Sequence, residues 1–160
     1  MIGSMAQRFP RVQGVGIEFE PDSVARARAT VAAAGFSDRI TIEQGDVGAP
    51  GHISEFDLAY FQYALHSVPS PAAALRAAWA ALRPGGRLLA LDWPLPSTPE
   101  EARTDYGRLI SGINLDELLQ GTALATRETV LDWFDAAGLA EPEVLELPSG
   151  ATAWLLVKSA

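Results

Sequence analysis

The sequence predicts an α/β fold on a mostly parallel sheet that closes with an antiparallel C-terminal hairpin. Three observations point there. Strand-like and helix-like segments alternate from "VQGVGI" to "RLLALDW" at the spacing of parallel βαβ units. The helical segments carry their own start and stop residues. Two final strands, "PEVLEL" and "TAWLLVK", are separated only by Pro148-Ser149-Gly150, a joint that suits a tight hairpin. At 160 residues the chain has the length of one domain with a single substantial core, and residues 1–160 are expected to form one domain.

Taken in order, "SMAQRF" has the character of the last turns of a helix, stopped before Pro10. "GVGIE" follows as a buried strand ending at Glu18. Pro21 suits the first turn of the next helix, "PDSVARARATVAAAG", and Gly35 its end. "RITIEQGDV" is a strand that turns at Gly45. The apolar run "FDLAYFQYAL" predicts a buried strand ending near Phe61. Ser70 and Pro71 open the helix "PAAALRAAWAALR", which Pro84-Gly85-Gly86 terminates, and "RLLALDW" is the next strand. Beyond the proline-rich joint "PLPSTPE", residues 99–120 read as mostly helical, with Leu109, Ile110, Ile113, Leu118 and Leu119 near helical spacing. Thr126 caps a further helix, "RETVLDWFDAAG", that Gly138 ends.

Composition narrows the function. The chain is 48% hydrophobic and 20% charged, with a mean hydropathy of +0.10, as expected of a soluble globular protein. A net charge of −8, with 12 basic residues in no cluster, argues against a nucleic-acid partner. The absence of cysteine excludes disulfides, thiolate metal sites and a cysteine nucleophile. No apolar run approaches the roughly 20 residues of a membrane helix, and "MIGSMAQRFP" lacks a basic segment followed by an apolar one. A cytoplasmic location without a membrane partner is the expectation.

In open α/β sheets, ligands sit beyond the carboxyl ends of the strands. The first such end offers Glu18 and Glu20. One carboxylate can accept from both hydroxyls of a ribose, and an acid before a helix N-terminus also favours the helix dipole. Glu18 closes the strand and suits the ribose; Glu20 suits the cap. At the second end, "QGDV", Gly45 permits a tight turn and Asp46 can accept from an exocyclic amine. The Val47 N–H can donate to a ring nitrogen, although Gly-Asp is also an ordinary turn. At the third, "YFQYALHS", Phe61 and Gln62 leave the sheet beside any ligand there. His66 could take a proton from a hydroxyl or merely hydrogen-bond a carbonyl. At the fourth, "LALDWPLP", Asp92 could orient His66 or cap the joint that follows. Trp79 and Trp133, on alanine-rich helical faces, are expected in the core.

The segments "VQGVGIEFEPDSVARARA", "ITIEQGDV", "FDLAYFQYALHSV" and "AALRPGGRLLALD", in this order and spacing, resemble the class I S-adenosylmethionine-dependent methyltransferases. The likeness runs from about residue 3 to residue 160, and "LRPGGRLLALD" is its most specific part. It implies a Rossmann-like three-layer sheet and S-adenosylmethionine as cofactor. Glu18, with Phe19 beside it, would meet the ribose. Gly45, Asp46 and Val47 would meet the adenine, and Phe61 and Gln62 would line the same site. A narrower similarity is to O-methyltransferases acting on small aromatic or polyketide-like hydroxyls, in which "LHSVPS" and "LDWPLP" make His66 and Asp92 the catalytic pair. Gln62 departs from that group's frequent lysine, and Asp92 stands where glutamate is more usual.

The family's usual strand order is 3-2-1-4-5-7-6, and its first strand leads into a G-x-G-x-G loop. Counting back from "RFP", Met1 falls just past that loop. The first strand and loop are therefore expected to be absent, the chain to be a C-terminal portion, and cofactor binding to be weak. Two strands would then present unpaired edges. The expected function is methyl transfer from S-adenosylmethionine to a small-molecule acceptor at a hydroxyl oxygen. Residues 99–120 would form a helical lid-like insertion, and a second copy of the chain is the expected protein partner. Two other readings stay open. One is a non-catalytic, degenerate methyltransferase-like module that pairs with another chain; the other is a nicotinamide-dependent oxidoreductase, whose ribose Glu18 would equally suit.

Overall fold

A computed structural model describes residues 2–159. The chain falls into two compact units, Met1–Pro50 and Gly51–Ala160.

The first unit contains α1 (Ile2–Arg8), β1 (Gly14–Glu18), α2 (Pro21–Ala33) and β2 (Ile40–Gln44). β1 and β2 pair in parallel, from Gly14 opposite Ile40 to Glu18 opposite Gln44. Pro21 stands at the start of α2, where its missing N–H leaves no hydrogen bond unmade. Gly35 follows the helix with φ +72°, a conformation that favours glycine. Ala6, Val24, Val31, Ile40 and Ile42 form a small core between helices and sheet. Two arginines bind it together through backbone carbonyls. The Arg28 guanidinium donates twice to Ile42 O (3.0 and 2.8 Å), and Arg39 Nη1 donates to Ala6 O and Pro10 O (3.1 and 3.0 Å).

The second unit contains β3 (Phe56–Gln62), α3 (Pro71–Ala81), β4 (Leu82–Asp92), α4 (Pro99–Ala102), α5 (Asp105–Leu119), α6 (Arg127–Ala136), β5 (Glu143–Glu146) and β6 (Thr152–Val157). Its sheet has the order β3-β4-β6-β5. β3 and β4 are parallel, and β6 runs antiparallel to both β4 and β5. This is the predicted C-terminal hairpin, and parallel and antiparallel pairing both occur, as expected. Leu75, Leu82, Leu88, Ile110, Phe134 and Trp154 are fully buried in this unit. Capping follows the sequence: the Ser70 and Thr126 side chains accept from Ala73 N and Thr129 N, and Gly138 takes φ +71° after α6.

Several local expectations are corrected. α3 ends at Ala81, short of Arg83, and "RPGG" lies within the extended β4 segment. The cause is pairing with the chain's end. Gly85, at φ +79°, donates its N–H to Lys158 O, and Lys158 N donates to Gly86 O, both at 2.9 Å. Lys158 Nζ in turn donates to the carbonyls of Trp79 and Leu82 at the end of α3 (2.8 and 2.6 Å). β1 and β3 are not the buried strands expected. All of β1 is only half-buried, and in β3 Leu58 is 40% exposed while Phe61 alone is buried. Each pairs with one strand among the described residues. Trp79 and Trp133 are half-buried, and the core tryptophan is Trp154. α4 and α5 bear out the mostly helical reading of residues 99–120. On α5 Ile110 is buried, but Leu109, Leu118 and Leu119 are exposed, because the helix turns Gly107 and Ile110 inward. Glu20 holds the N-cap position of α2 without a side-chain cap hydrogen bond.

Candidate active site

The two units carry separate groups of predicted site residues. In the first, parallel pairing brings the ends of β1 and β2 to one edge, and Gly45 N donates to Glu18 O at 3.0 Å just past the last pair. Glu18 Oε1 accepts from Glu20 N (2.9 Å), and Asp46 Oδ1 accepts from Gly48 N (2.7 Å). Each acid thus fastens its own turn with one oxygen. Phe19, between the edge acids and 75% exposed, presents an unpacked aromatic face, and Val47 is half-buried. Two carboxylates and one exposed aromatic ring suit a group rich in hydroxyls and amine hydrogens. This donor and acceptor set fits the ribose and adenine of S-adenosylmethionine.

In the second unit the chain leaves β3 at Gln62, opposite Leu91 of β4. Tyr63 then adopts φ +51°, an uncommon conformation for a bulky residue, while its N–H donates to Leu91 O (2.8 Å). Its ring stacks on Trp93, with centroids 4.3 Å apart. The sharp exit leads into a short 3-10 turn, Leu65–Ser67, that swings His66 back over the end of β4. There His66 Nδ1 meets Asp92 Oδ2 at 2.6 Å, and Asp92 Oδ1 accepts from Trp93 N at 2.9 Å. The pair is nearly dry, with side chains 4% and 10% exposed. An ionised carboxylate can only accept, so Nδ1 carries a proton and Nε2 is the nitrogen left for chemistry.

Sequence reasoning missed the third member. Glu117, on α5, places Oε2 at 3.6 Å from His66 Nε2. Burial is the largest influence on the imidazole and pulls its pKa down. The hydrogen bond and charge of Asp92, with the charge and side-chain contact of Glu117, outweigh it and leave the pKa raised above 6.5. A cleft of about 640 Å³ opens beside this histidine, with Val68, Pro69, Leu118, Thr122 and Ala123 among its walls. Phe61 belongs to the core at 8% exposed, and Gln62 is half-buried. Tyr106, whose hydroxyl donates to Pro94 O at 3.2 Å, is pushed up to about 12, chiefly by burial; it stays a donor throughout the neutral range. No Glu117 signal was available in sequence, since a lone acid on an amphipathic helix carries no motif.

Comparison with known proteins gives this pairing its context. The sequence matches the family described as "Methyltransferase domain" over residues 3–138. The chain belongs to that family. The methyltransferase domain is 31% identical over 157 residues to aclacinomycin 10-hydroxylase RdmB of Streptomyces purpurascens, covering 95% of this chain and 39% of RdmB. Its fold is similar to an O-methyltransferase family protein from Burkholderia thailandensis (TM-score 0.79, 17% identity, 99% of this chain and 47% of that one). It is likewise similar to PigF solved with SAH (TM-score 0.77, 23% identity, 98% and 46%). The methyltransferase domain therefore spans less than half the length of these relatives. Among the described residues, no helix is long and apolar enough to cross a membrane, and no group of three or more His, Asp or Glu is arranged to hold a metal ion.

Proposed function

We propose that the protein transfers a methyl group from S-adenosylmethionine to a hydroxyl oxygen of a small organic acceptor, with His66 as the base. The observation that carries this is the 2.6 Å contact of His66 Nδ1 with Asp92 in a nearly dry position, with His66 lining the cleft and its Nε2 3.6 Å from Glu117 Oε2. The cofactor, when bound, supplies an electrophilic methyl group on sulfur. The chain's own work is binding and proton transfer. Glu18 holds the ribose hydroxyls, Asp46 and the Val47 N–H hold the adenine edge, and Gly45 gives the turn its shape. His66 Nε2 takes the hydroxyl proton as the acceptor oxygen becomes a nucleophile. Asp92 fixes the tautomer and stabilises the imidazolium that forms, in the manner of an acid behind a histidine base. α4 and α5 act as the lid of the acceptor site, a role supported by Leu118 at the cleft wall. Both units belong to one methyltransferase domain on this reading, since the family match at 3–138 runs through Pro50 without a break.

A second reading has one observation behind it: RdmB is named a hydroxylase. The product separates the two, because methylation adds a methyl carbon traceable to the cofactor and hydroxylation adds an oxygen. The base is tested by His66→Ala under saturating S-adenosylmethionine. General-base loss is typically about 10²–10⁴-fold, and a fall of less than about tenfold removes His66 from that role.

A further inference from the structure

The C-terminus of α5 closes in a Schellman arrangement. Gly121 takes φ +85° and donates to Leu118 O (3.2 Å), and Thr122 N donates to Glu117 O (3.0 Å). The side chains of these two linked positions usually make an apolar contact. Here they are a threonine and a glutamate. Thr122 Oγ1 donates to Glu117 Oε2 at 2.6 Å, the same oxygen that stands 3.6 Å from His66 Nε2. The loop is tied down on its other side as well, because Leu124 N donates to Asn114 Oδ1 at 2.9 Å and the Leu124 side chain is buried. Thr122 is thus fixed by its backbone before its hydroxyl makes any contact.

We propose that Thr122 is a positioning residue whose hydroxyl holds Glu117 just outside hydrogen-bond range of His66 Nε2, keeping that nitrogen open to an acceptor hydroxyl entering from the cleft. The proposal rests on the reading of His66 as base. A glutamate has three rotatable bonds and would otherwise close on an imidazolium less than an ångström beyond hydrogen-bond distance. Nε2 would then donate to Glu117 and have no lone pair to offer. The Thr122 hydrogen bond occupies the relevant oxygen and restrains its side chain. The charged groups facing His66 are Asp92 from the end of β4 and Glu117 from α5, so Thr122 has one carboxylate through which to act.

The test is the titration of the His66 imidazole by NMR in the 160-residue chain, which needs neither acceptor nor cofactor. Thr122→Val removes the hydroxyl at nearly constant volume and should raise the His66 midpoint, while Thr122→Ser should leave it at the wild-type value. In a Glu117→Gln background, Thr122→Val should produce no shift, because the charge through which it acts is gone. Equal midpoints for wild type and Thr122→Val overturn the proposal, and so does an upward shift that persists beside Glu117→Gln. Should the valine variant fail to fold, Thr122→Ala carries the same expectation. Equal midpoints together with lost activity in His66→Ala would leave the base standing and remove Thr122 alone.

Discussion

Asp92→Asn isolates what the acid behind His66 contributes. Asparagine fills nearly the same space, and its Oδ1 can still accept the Trp93 N–H that Asp92 holds at 2.9 Å. Its amide then turns an NH2 toward His66 Nδ1, where the native chain has a carboxylate oxygen at 2.6 Å. Two donors cannot face one another, so Nδ1 must become the acceptor and the ring proton must sit on Nε2. The nitrogen that should remove a proton is then already protonated. Where an acid orients a histidine base, this swap lowers kcat by about 10⁴, and a loss on that order is expected here.

Stability should fall too, in a pH-dependent way. Removing one partner of a buried ion pair costs roughly 3–5 kcal/mol, whereas a neutral hydrogen bond contributes only about 1 kcal/mol. The His66 pKa is raised in the fold, so the pair's contribution is complete below the unfolded histidine value of about 6.5 and is lost as pH rises through the raised folded value. Urea unfolding of both proteins at about pH 5.5 and about pH 8.5 reads the difference. The penalty should be the larger at acid pH. A penalty that is equal at both, or that grows toward alkaline pH, refutes the reasoning, as does an asparagine variant whose His66 titrates like wild type.

The remaining expectations are simpler. Glu18→Ala and Asp46→Ala should each weaken S-adenosylhomocysteine binding by about tenfold or more, the worth of one hydrogen bond to a charged group, as followed by calorimetry; unchanged affinity in both removes the carboxylate edge of the first unit from the cofactor site. Gly107→Ala should destabilise the chain by about 1–3 kcal/mol, because the added Cβ would press on Glu101 O and come within 2.7 Å of Ala102 Cα where α4 meets α5; a neutral result in urea unfolding would show that the two helices separate easily. Trp154→Ala should remove about 3–5 kcal/mol, since the side chain is fully buried in the four-stranded sheet. A small loss by the same measurement would mean that β6 is not the centre of that core.

Most helices were legible because their ends are written in local chemistry. Pro21, Ser70-Pro71 and Thr126 each start a helix for a reason confined to one turn of chain, and Gly35 and Gly138 end theirs by the same local rule. The ends of β1, β2, β3 and β4 were legible too, which is why Glu18, Asp46, Gln62 and Asp92 could be named before any geometry. What failed depended on distant partners. Pro84-Gly85-Gly86 reads as a helix stop, and its place within β4 emerges only when Lys158, distant in sequence, pairs with Gly85 and Gly86. The spacing of the apolar residues of α5 reads as helix, yet its inward face is set by Gly107 against α4 and by Ile110, which no local pattern reveals. Glu117 was missed for the same reason. Its significance lies in a ring nitrogen 51 positions earlier in the chain, reached only through the fold.

The central claim is that this chain's residues serve methyl transfer to oxygen with His66 as base. S-adenosylmethionine labelled in its methyl group, incubated with a hydroxylated aromatic acceptor and followed by NMR of the product, tests it most directly. The account predicts a labelled methyl on the acceptor oxygen, formed at least about 10²-fold more slowly by His66→Ala. A product bearing a new hydroxyl and no label, or a labelled product formed equally fast by both proteins, would contradict it.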